Sequence, residues 1–376
     1  DTINAELREY SPELALRPQI VAANKCDIAD EEMKADFRKY IEDKGIPDFE
    51  ISAASAQGTK ELINAVSAEL DKLPPTNVNI RMRNYCFQGG GNVPTATVAA
   101  GVLGLRCAIM GVAGGDMFGH ASLGDFAYNH VDTSHLLLDP GKRTDFCVCV
   151  SEREINGKEF ISKPGDYRAL EIADLDEAFI KSAKILHIGD MLTPAKFQAA
   201  DWIHEAGGKV SIDAAYYRPD IYENYRYLDI FIASETYYNS MCEALGNMTC
   251  EEAARYIHAR GPEIVIFTLG ENGCEGVYGA DAAYFQLPAF KVDAIDSTGA
   301  GDVFHGAFNY AYLQGWDVPR CARFSSGVSA IKCTQLGGRA GIPNLATVTR
   351  FLEDGVIERE WLDERLKRYR QGFFDM

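Results

Sequence analysis

Short apolar runs alternate with amphipathic stretches along most of this chain. Five of the runs have the length and composition of buried strands, and most of them are separated by text with helical periodicity: RCAIMGVAG (106–114), AKILHIG (183–189), GKVSIDA (208–214), LDIFIAS (228–234) and EIVIFTLG (263–270). Continuous apolar runs of this kind are typical of parallel strands that are buried on both faces. The pattern predicts an α/β fold with a doubly wound, mainly parallel sheet and flanking helices, which binds ligands at the carboxyl ends of its strands.

Residues 1–75 carry the same pattern on a smaller scale. PQIVAA (18–23) and DFEIS (48–52) have strand character, and the amphipathic stretches 30–45 and 59–73 follow them. This order predicts a β-α-β-α piece of a doubly wound sheet. After DKLPPT (71–76) the text changes, because NVNIRMRNYCF (77–87) alternates as an exposed strand does and leads into a glycine-rich turn before a helix.

Composition narrows the functional classes. The 376-residue chain carries a formal net charge of -18, with 47% hydrophobic and 24% charged residues, which is ordinary for a globular protein. Since an acidic surface repels phosphate polyanions and no basic run is present, we expect no nucleic-acid partner and no membrane partner. The ten cysteines show no spacing typical of zinc or disulfide frameworks, and the first residues do not resemble a signal peptide, so the expected location is cytoplasmic.

The strongest chemical signal is AIDSTGAGD (294–302), which opens an apolar helix. Small residues let the backbone approach a ligand closely, and the free amides at a helix start offer donors and a positive dipole end to an anion. A carboxylate in the same turn is poorly placed to bind phosphate. Asp302 is instead well placed to take a proton from a hydroxyl group that attacks that phosphate.

This stretch resembles the signature of the ribokinase-like (PfkB) carbohydrate kinases, and four further pieces occur in that family's order. They are GGGNVPTATVAAGVLG (89–104), GGDMFG (114–119), FTLGENG (267–273) and SSGVSAIKCTQLGGRAGIPNL (325–345). The resemblance implies that residues 76–355 form a ribokinase-like α/β kinase domain with a small β lid, followed by a charged helical tail at 356–376. It also implies transfer of the γ-phosphoryl group of ATP to a hydroxyl group of a sugar, a nucleoside or a related small molecule.

The resemblance assigns the functional roles of the family's residues to the matching positions of this chain. Asp302 becomes the general base, and the amides of Gly299, Ala300 and Gly301 become the anion hole. The resemblance implies that the nucleotide is bound by Thr268, Gly270, Gly273 and Thr298. It also implies that Gly90 and Gly91 form the hinge beside the sugar. The resemblance further implies Mg²⁺ with ATP, a monovalent cation near Asp296, and a homodimer formed through the lids.

Some positions depart from the family pattern. Thr95 stands where many members have a sugar-binding Asn, so its hydroxyl contact is expected to be weaker or to serve another substrate. Ser234-Glu235-Thr236-Tyr237 replaces the usual Asn-x-x-Glu, and Glu235 is expected to help hold hydrated magnesium from a displaced register. Arg143, beside a predicted hairpin turning at Asn156-Gly157, is a candidate substrate contact.

The segment before residue 76 shows a different resemblance. Asn24-Lys25-Cys26-Asp27, Ser52-Ala53-Ala54 and the flanking text INAELREYSPELALRPQIV (3–21) resemble the base-recognition part of an Obg-family GTPase. In such loops an Asp carboxylate accepts hydrogen bonds from guanine, while Asn and Lys brace the loop. No phosphate-binding loop or magnesium-binding switch Asp accompanies them, so the segment is interpreted as a G-domain fragment of 1–75 joined to a kinase that lacks its first strand.

Two alternatives to a working kinase stay open at this point. One is an Obg-like, GTP-binding, ribosome-associated module, which requires residues 1–75 to fold and bind guanine nucleotide. The other is an inactive pseudokinase produced by loss of the first strand and its substrate carboxylate. His305, one turn beyond Asp302, and His187 are interpreted as packing residues in preference to proton relays.

Overall fold

A computed structural model describes residues 21–23, 31–42, 48–50, 84–152, 157–218 and 224–373 of the chain. The chain divides into two compact units, Asp1–Arg83 and Asn84–Met376. The smaller unit contains strand β1 (Val21–Ala23), helix α1 (Glu31–Glu42) and strand β2 (Asp48–Glu50), and the two strands pair in parallel. This is the strand–helix–strand order that the sequence predicts.

The guanine-motif residues of this smaller unit are Asn24, Lys25 and Asp27. All three lie outside the described residues. Guanine recognition by this segment therefore stays a prediction.

The described residues of the larger unit contain ten strands. They are β3 (Cys107–Gly114), β4 (Val131–Asp139), β5 (Phe146–Glu152), β6 (Gly157–Lys163), β7 (Ile185–Gly189), β8 (Lys209–Ala214), β9 (Ile230–Ser234), β10 (Ile264–Thr268), β11 (Cys274–Tyr278) and β12 (Ala283–Leu287). The five apolar runs found in the sequence become β3, β7, β8, β9 and β10, so these strand predictions are confirmed.

The helices of the larger unit separate or flank these strands. They are α2 (Asn92–Val102), α3 (Met117–Tyr128), α4 (Glu177–Ser182), α5 (Pro194–Glu205), α6 (Glu235–Leu245), α7 (Cys250–His258), α8 (Ala300–Leu313), α9 (Val318–Cys333), α10 (Leu345–Asp354) and α11 (Arg359–Gln371). None of the helices in the described part of the chain is both long enough and apolar enough to cross a membrane.

The main sheet has six strands in the order β12-β11-β10-β9-β8-β7. Strands β7 to β10 run parallel, and β11 and β12 are antiparallel additions at one edge. Because the four parallel strands point the same way, their carboxyl ends lie side by side along one end of the sheet, which is called the carboxyl edge below. This edge is the expected ligand side.

Alternate side chains of the central strands enter two separate cores. Ile230 and Ile232 of β9 join the core beneath helices α2, α8 and α9, whereas Phe231 and Ala233 join the core beneath α5, α6 and α7. Side chains of a strand point alternately to opposite faces, so burial of both faces requires the uninterrupted apolar run seen in the sequence.

Strands β3 and β4 form their own parallel pair, apart from the main sheet. Helix α2 contacts both β3 and β7, yet no described strand pairs with the remaining edge of either one. The interpretation from sequence, that a kinase domain lacks its first strand, stays a prediction.

Helices α8 and α2 pack closely because Gly306 has no side chain. A Cβ atom at Gly306 would overlap the carbonyl oxygen of Ala96 and crowd the Cβ of Ala99. This contact sets the distance between α2, which follows the glycine-rich turn, and α8, which carries Asp302.

We expect Gly306→Ala to lower the free energy of unfolding by about 1–3 kcal/mol, because overpacking against backbone outweighs the better helix propensity of Ala. Urea denaturation measures the change. Gly301→Ala on the same helix is the matched control, since a Cβ there meets no atom within 4 Å. Equal unfolding free energies for the two variants would show that the helix contact is not tight.

Candidate active site

The loop before α8 has the geometry of an anion site. Gly299, the N-cap of α8, has φ +75°, a conformation that only glycine adopts readily. The amides of Ala300 and Gly301 open the helix, and open space lies where a Cβ of Gly301 would be. The positive end of the helix dipole and exposed amides together favour an anion here.

Asp302 lies in the first turn of α8, directly after these amides. Burial, and after it the Asp213 carboxylate, raises the pKa of Asp302 to about 6. Three basic side chains oppose the rise, and they are His305, Arg339 and Lys332. A carboxylate with a pKa near neutrality is a stronger base than an ordinary Asp and is still ionised at pH 7.

A buried Asp–His pair lies next to Asp302. Nε2 of His305 is 3.2 Å from Oδ1 of Asp213, which lies near the carboxyl end of β8 and also hydrogen-bonds Asn92. Burial acts to raise the pKa of Asp213, but His305, His187 and the hydrogen bond with Asn92 together outweigh it, and the pKa is lowered. The pair links α8 to the carboxyl edge of the sheet, and sequence reasoning did not find it.

His187 lies beside this pair. Its ring centroid is 5.4 Å from that of His305, and burial lowers the pKa of His187 to about 3. His187 is therefore neutral at pH 7, and its contact with Ser211 on β8 holds it in place. The geometry agrees with its interpretation as a packing residue.

The side chain of Asp296 holds the loop before α8 through two hydrogen bonds from backbone amides. Its Oδ1 accepts a hydrogen bond from the Thr298 amide at 2.9 Å, and its Oδ2 accepts one from the Gly337 amide at 2.8 Å. Burial acts to raise the pKa of this carboxyl, but Lys332 and the hydrogen bonds outweigh it and lower the pKa. Asp296 thus joins the loop before α8, Thr298–Gly301, to the segment Gly337–Arg339. This loop is called the anion loop below.

The residues expected on the nucleotide side follow β10. Thr268 is the last residue of β10, pairs in register with Ser234 of β9, and donates a hydrogen bond to the Ala233 carbonyl. Gly270 and Gly273 have φ +56° and +91°, and a Cβ at Gly273 would overlap the carbonyl oxygen of Leu287. The turn therefore needs glycine at both positions to bring the backbone to this edge.

Glu235 is the first residue of α6, at the carboxyl end of β9, and is exposed. Among the described residues, no group of three or more His, Cys, Asp or Glu side chains could hold a metal ion by themselves. Mg²⁺ in phosphotransferases keeps several waters and uses one or two carboxylates with the phosphates, so a single exposed carboxylate at this edge fits it.

Arg339 organises the glycine-rich turn, beside which the sequence predicts the sugar. Its Nη2 donates to the Gly90 carbonyl at 2.9 Å, and its Nη1 pairs with Oδ2 of Asp125 at 2.8 Å. The same carboxylate oxygen accepts the Gly89 amide at 2.6 Å. Gly91 has φ +84° and caps α2. The turn is therefore held by a buried ion pair that sequence reasoning did not find.

Thr95 lies on the first turns of α2 and is 2% exposed. Its hydroxyl lies 3.3 Å from Nε of Arg339 and accepts a hydrogen bond from it. The hydroxyl is thus engaged within the protein, and a substrate contact by Thr95 stays a prediction.

The charged tail predicted at 356–376 contains α11, which packs against this turn. Tyr369 donates to Oδ1 of Asp125 at 2.7 Å, and its carbonyl accepts the Phe87 amide at 2.7 Å. Arg365 of the same helix donates to the Arg339 carbonyl at 3.1 Å. The sequence assigns no chemistry to this helix, yet these contacts make it part of the support of the glycine-rich turn.

The antiparallel pair β5–β6 is the predicted hairpin, and it reaches the anion loop. Sγ of Cys149 lies 3.6 Å from Oγ1 of Thr298. Arg143 precedes this hairpin, is 72% exposed, and pairs with Asp166 at 3.7 Å. A substrate contact by Arg143 and a homodimer through the hairpin stay predictions.

Comparison with known proteins places these features in a family. The model of the pfkB family of carbohydrate kinases matches residues 59–345. The match begins inside the segment that the sequence assigns to a GTPase-like fragment, and it ends before α11.

Named relatives include sugar kinases. The chain is 27% identical over 330 residues to "Probable fructokinase-3" of Arabidopsis thaliana, covering 80% of this chain and 94% of the relative. It is 27% identical over 277 residues to ribokinase of Haemophilus influenzae, covering 72% and 89%. The solved Arabidopsis thaliana ribokinase complexed with ribose and ATP superposes with a TM-score of 0.61 at 19% identity, covering 75% and 93%. The ribokinase-like α/β fold expected from sequence is confirmed.

Proposed function

The chain belongs to the pfkB family of carbohydrate kinases, and we propose that it transfers the γ-phosphoryl group of ATP to a hydroxyl group of a sugar with Asp302 as the general base. Family membership makes the protein an ATP-dependent phosphotransferase that acts on a small molecule. The roles of individual residues are the proposal. The observation that supports these roles most directly is the position of Asp302 in the first turn of α8, directly after Gly299, Ala300 and Gly301.

In the proposed reaction the acceptor hydroxyl gives its proton to the Asp302 carboxylate while its oxygen attacks the γ-phosphorus. The bond between the γ-phosphorus and the bridging oxygen breaks, and ADP leaves with that electron pair. The amides of Gly299, Ala300 and Gly301 donate hydrogen bonds to the transferring phosphoryl group as its charge redistributes. These donors are fixed before ATP binds, because the φ of Gly299 and the hydrogen bonds of Asp296 set the loop.

The nucleotide would lie along the carboxyl ends of β9 and β10. Thr268, Gly270 and Gly273 offer close backbone approach there, and Thr298 borders the anion loop. Glu235 would hold the Mg²⁺ that accompanies ATP, through its exposed carboxylate. When bound, magnesium would neutralise the negative charge of the β- and γ-phosphates.

The acceptor would lie beside Gly90 and Gly91. Open space lies where a Cβ of Gly90 would be, so a polar ligand could approach the backbone of the turn. Asn92 and the buried Asp213–His305 pair border the same edge. Hydroxyl groups of a sugar are suitable partners for such carboxylate and amide groups, since they both donate and accept hydrogen bonds.

The proposal is tested by Mg²⁺-dependent ADP release from ATP over a panel of sugars and nucleosides, with GTP as a parallel donor. We expect ADP release to be stimulated by at least one sugar and to require ATP in preference to GTP. Folded protein that shows no stimulation by any acceptor would favour the inactive pseudokinase. A preference for GTP without acceptor stimulation would favour the GTPase-like module.

The pH dependence of kcat/KM should report the ionisation of Asp302. Since the base acts only when deprotonated, kcat/KM should fall with unit slope below about pH 6, the value to which burial and Asp213 raise the pKa of Asp302. The measurement is a steady-state series between about pH 4.5 and 8 at saturating Mg²⁺ with an uncharged sugar.

His305→Gln separates this ionisation from that of ATP. His305 lowers the pKa of Asp302, so its replacement should move the acidic limb to higher pH. Asp213, Arg339 and Lys332, the other charged side chains near Asp302, are retained in the variant, and Asp213 loses the His305 contact that helps to lower its pKa. An identical limb in both proteins would assign the ionisation to the nucleotide and remove Asp302 from the pH profile.

A further inference from the structure

A buried lysine ammonium lies at the position where family resemblance suggests a monovalent cation. Lys332, on the last turn of α9, is 0% exposed. Its Nζ donates to the main-chain carbonyl oxygen of Asp296 at 2.8 Å. A fully buried lysine is rare, and it persists only where oxygen atoms or an opposite charge stabilise the ammonium.

The oxygens of Asp296 are already engaged. Its carbonyl oxygen accepts from Lys332, and its carboxylate oxygens accept from the amides of Thr298 and Gly337. A monovalent cation that used these oxygens would lie close to the Lys332 ammonium, and two like charges at contact distance repel strongly in a buried site. The residues present therefore do not fit an added monovalent cation at Asp296.

We propose that the Lys332 ammonium is the built-in counter-ion of the anion loop, and that phosphoryl transfer by this protein therefore needs no added K⁺ or Na⁺. The inference rests on the proposed kinase function. Lys332 is a positioning residue in this scheme, because it acts through Asp296 on the loop Thr298–Gly301 and touches neither substrate. The loop receives a fixed positive charge from the protein itself, and the charge balance of Asp296 does not depend on the surrounding salt.

The first test uses the unchanged protein. Phosphotransfer is measured in the chlorides of K⁺, Na⁺ and tetramethylammonium at constant ionic strength, with MgCl2 and ATP free of alkali metals. We expect kcat and both KM values to agree within about twofold across the three salts. A kcat that requires K⁺ or Na⁺ by more than about tenfold would overturn the inference.

The second test removes the ammonium. Lys332→Met keeps much of the side-chain volume, and we expect its kcat in tetramethylammonium chloride to fall about tenfold or more and to recover in part with K⁺. A structural defect alone would not be rescued by a particular cation. Lys291→Met is the control, since Lys291 is exposed, and its activity should equal that of the unchanged protein in every salt.

A melting-temperature readout does not depend on activity. K⁺ in place of tetramethylammonium should raise the melting temperature of Lys332→Met and leave that of the unchanged protein as it was. Specific stabilisation of the unchanged protein by K⁺ would contradict the inference. If the unchanged protein transfers no phosphate in any salt, the proposed function fails, and the melting comparison of the unchanged protein still decides on Lys332.

Discussion

Replacement of Asp302 by asparagine is expected to lower kcat by about a hundredfold or more while ATP affinity is retained. Asparagine has nearly the same shape but cannot accept the hydroxyl proton at neutral pH. The anion-hole amides and the turn at Gly270 and Gly273 are unchanged in this variant, so ground-state binding of ATP should persist. Steady-state kinetics and equilibrium titration with ATP measure the two quantities separately.

Asp317→Asn is the matched control for this substitution. Asp317 is the N-cap of α9 and follows the far end of α8, a 14-residue helix that spans about 21 Å. Asparagine caps helices as well as aspartate does, so neither stability nor kcat should change appreciably. An unchanged kcat in Asp302→Asn would remove Asp302 from the mechanism, whereas loss in both variants would point to a general defect.

Arg339→Met is expected to lower the free energy of unfolding by about 3–5 kcal/mol. Both side chains of the Arg339–Asp125 pair are about 1% exposed, so the substitution leaves a carboxylate buried without its cation. Removing one partner of a buried ion pair is far more destabilising than removing both, because the remaining charge has no compensation. Urea denaturation monitored by tryptophan fluorescence measures the loss.

Two further variants make this prediction specific. The double variant Arg339→Met with Asp125→Asn removes both charges and should recover part of the lost stability. Arg350→Met breaks the exposed pair of Arg350 with Glu358 and should change stability by less than about 1 kcal/mol. Losses of equal size for Arg339→Met and Arg350→Met would mean that burial of the Arg339 pair has no energetic effect.

Arg339 also holds the turn beside the proposed acceptor position. Its loss frees the Gly90 carbonyl and Thr95 hydroxyl from their donor, so the turn should become less ordered. We therefore expect the KM for the sugar to rise more than the KM for ATP in this variant. The hydrogen bonds that Arg339 donates go to Gln88, Thr95, Asp125 and Gly90, and none of these residues lies in the turn after β10.

The sequence predicts the sheet well, because the strands leave local signals. Each of β7 to β10 is a continuous apolar run, and burial on both faces leaves no alternative composition for such strands. The Asp302 turn is equally local, since the small residues, the helix start and the carboxylate all fall within 296–302. A structural feature that depends only on neighbouring residues, such as this turn at the start of α8, can be predicted from one chain.

The supporting pairs could not be predicted in the same way. Arg339 and Asp125 are separated by 214 residues, and Lys332 meets Asp296 from a separate helix. The sequence around Arg339 does not distinguish it from a solvated surface residue, and only the tertiary arrangement buries it. A signal did exist for Lys332, because it lies in an otherwise apolar helical stretch between Ile331 and Cys333.

The long separations around Asp125 have a consequence for biosynthesis. Arg339 and Tyr369 emerge from the ribosome 214 and 244 residues after Asp125. At about 5–20 residues per second, roughly 12–50 seconds pass before the carboxylate meets its last partner. Until Arg339 has emerged, the nascent segment around α2 and α3 lacks the ion pair that fixes its glycine-rich turn. Nascent chains paused before residue 339 should therefore expose this segment to proteases and chaperones, and the acceptor side should become protected last.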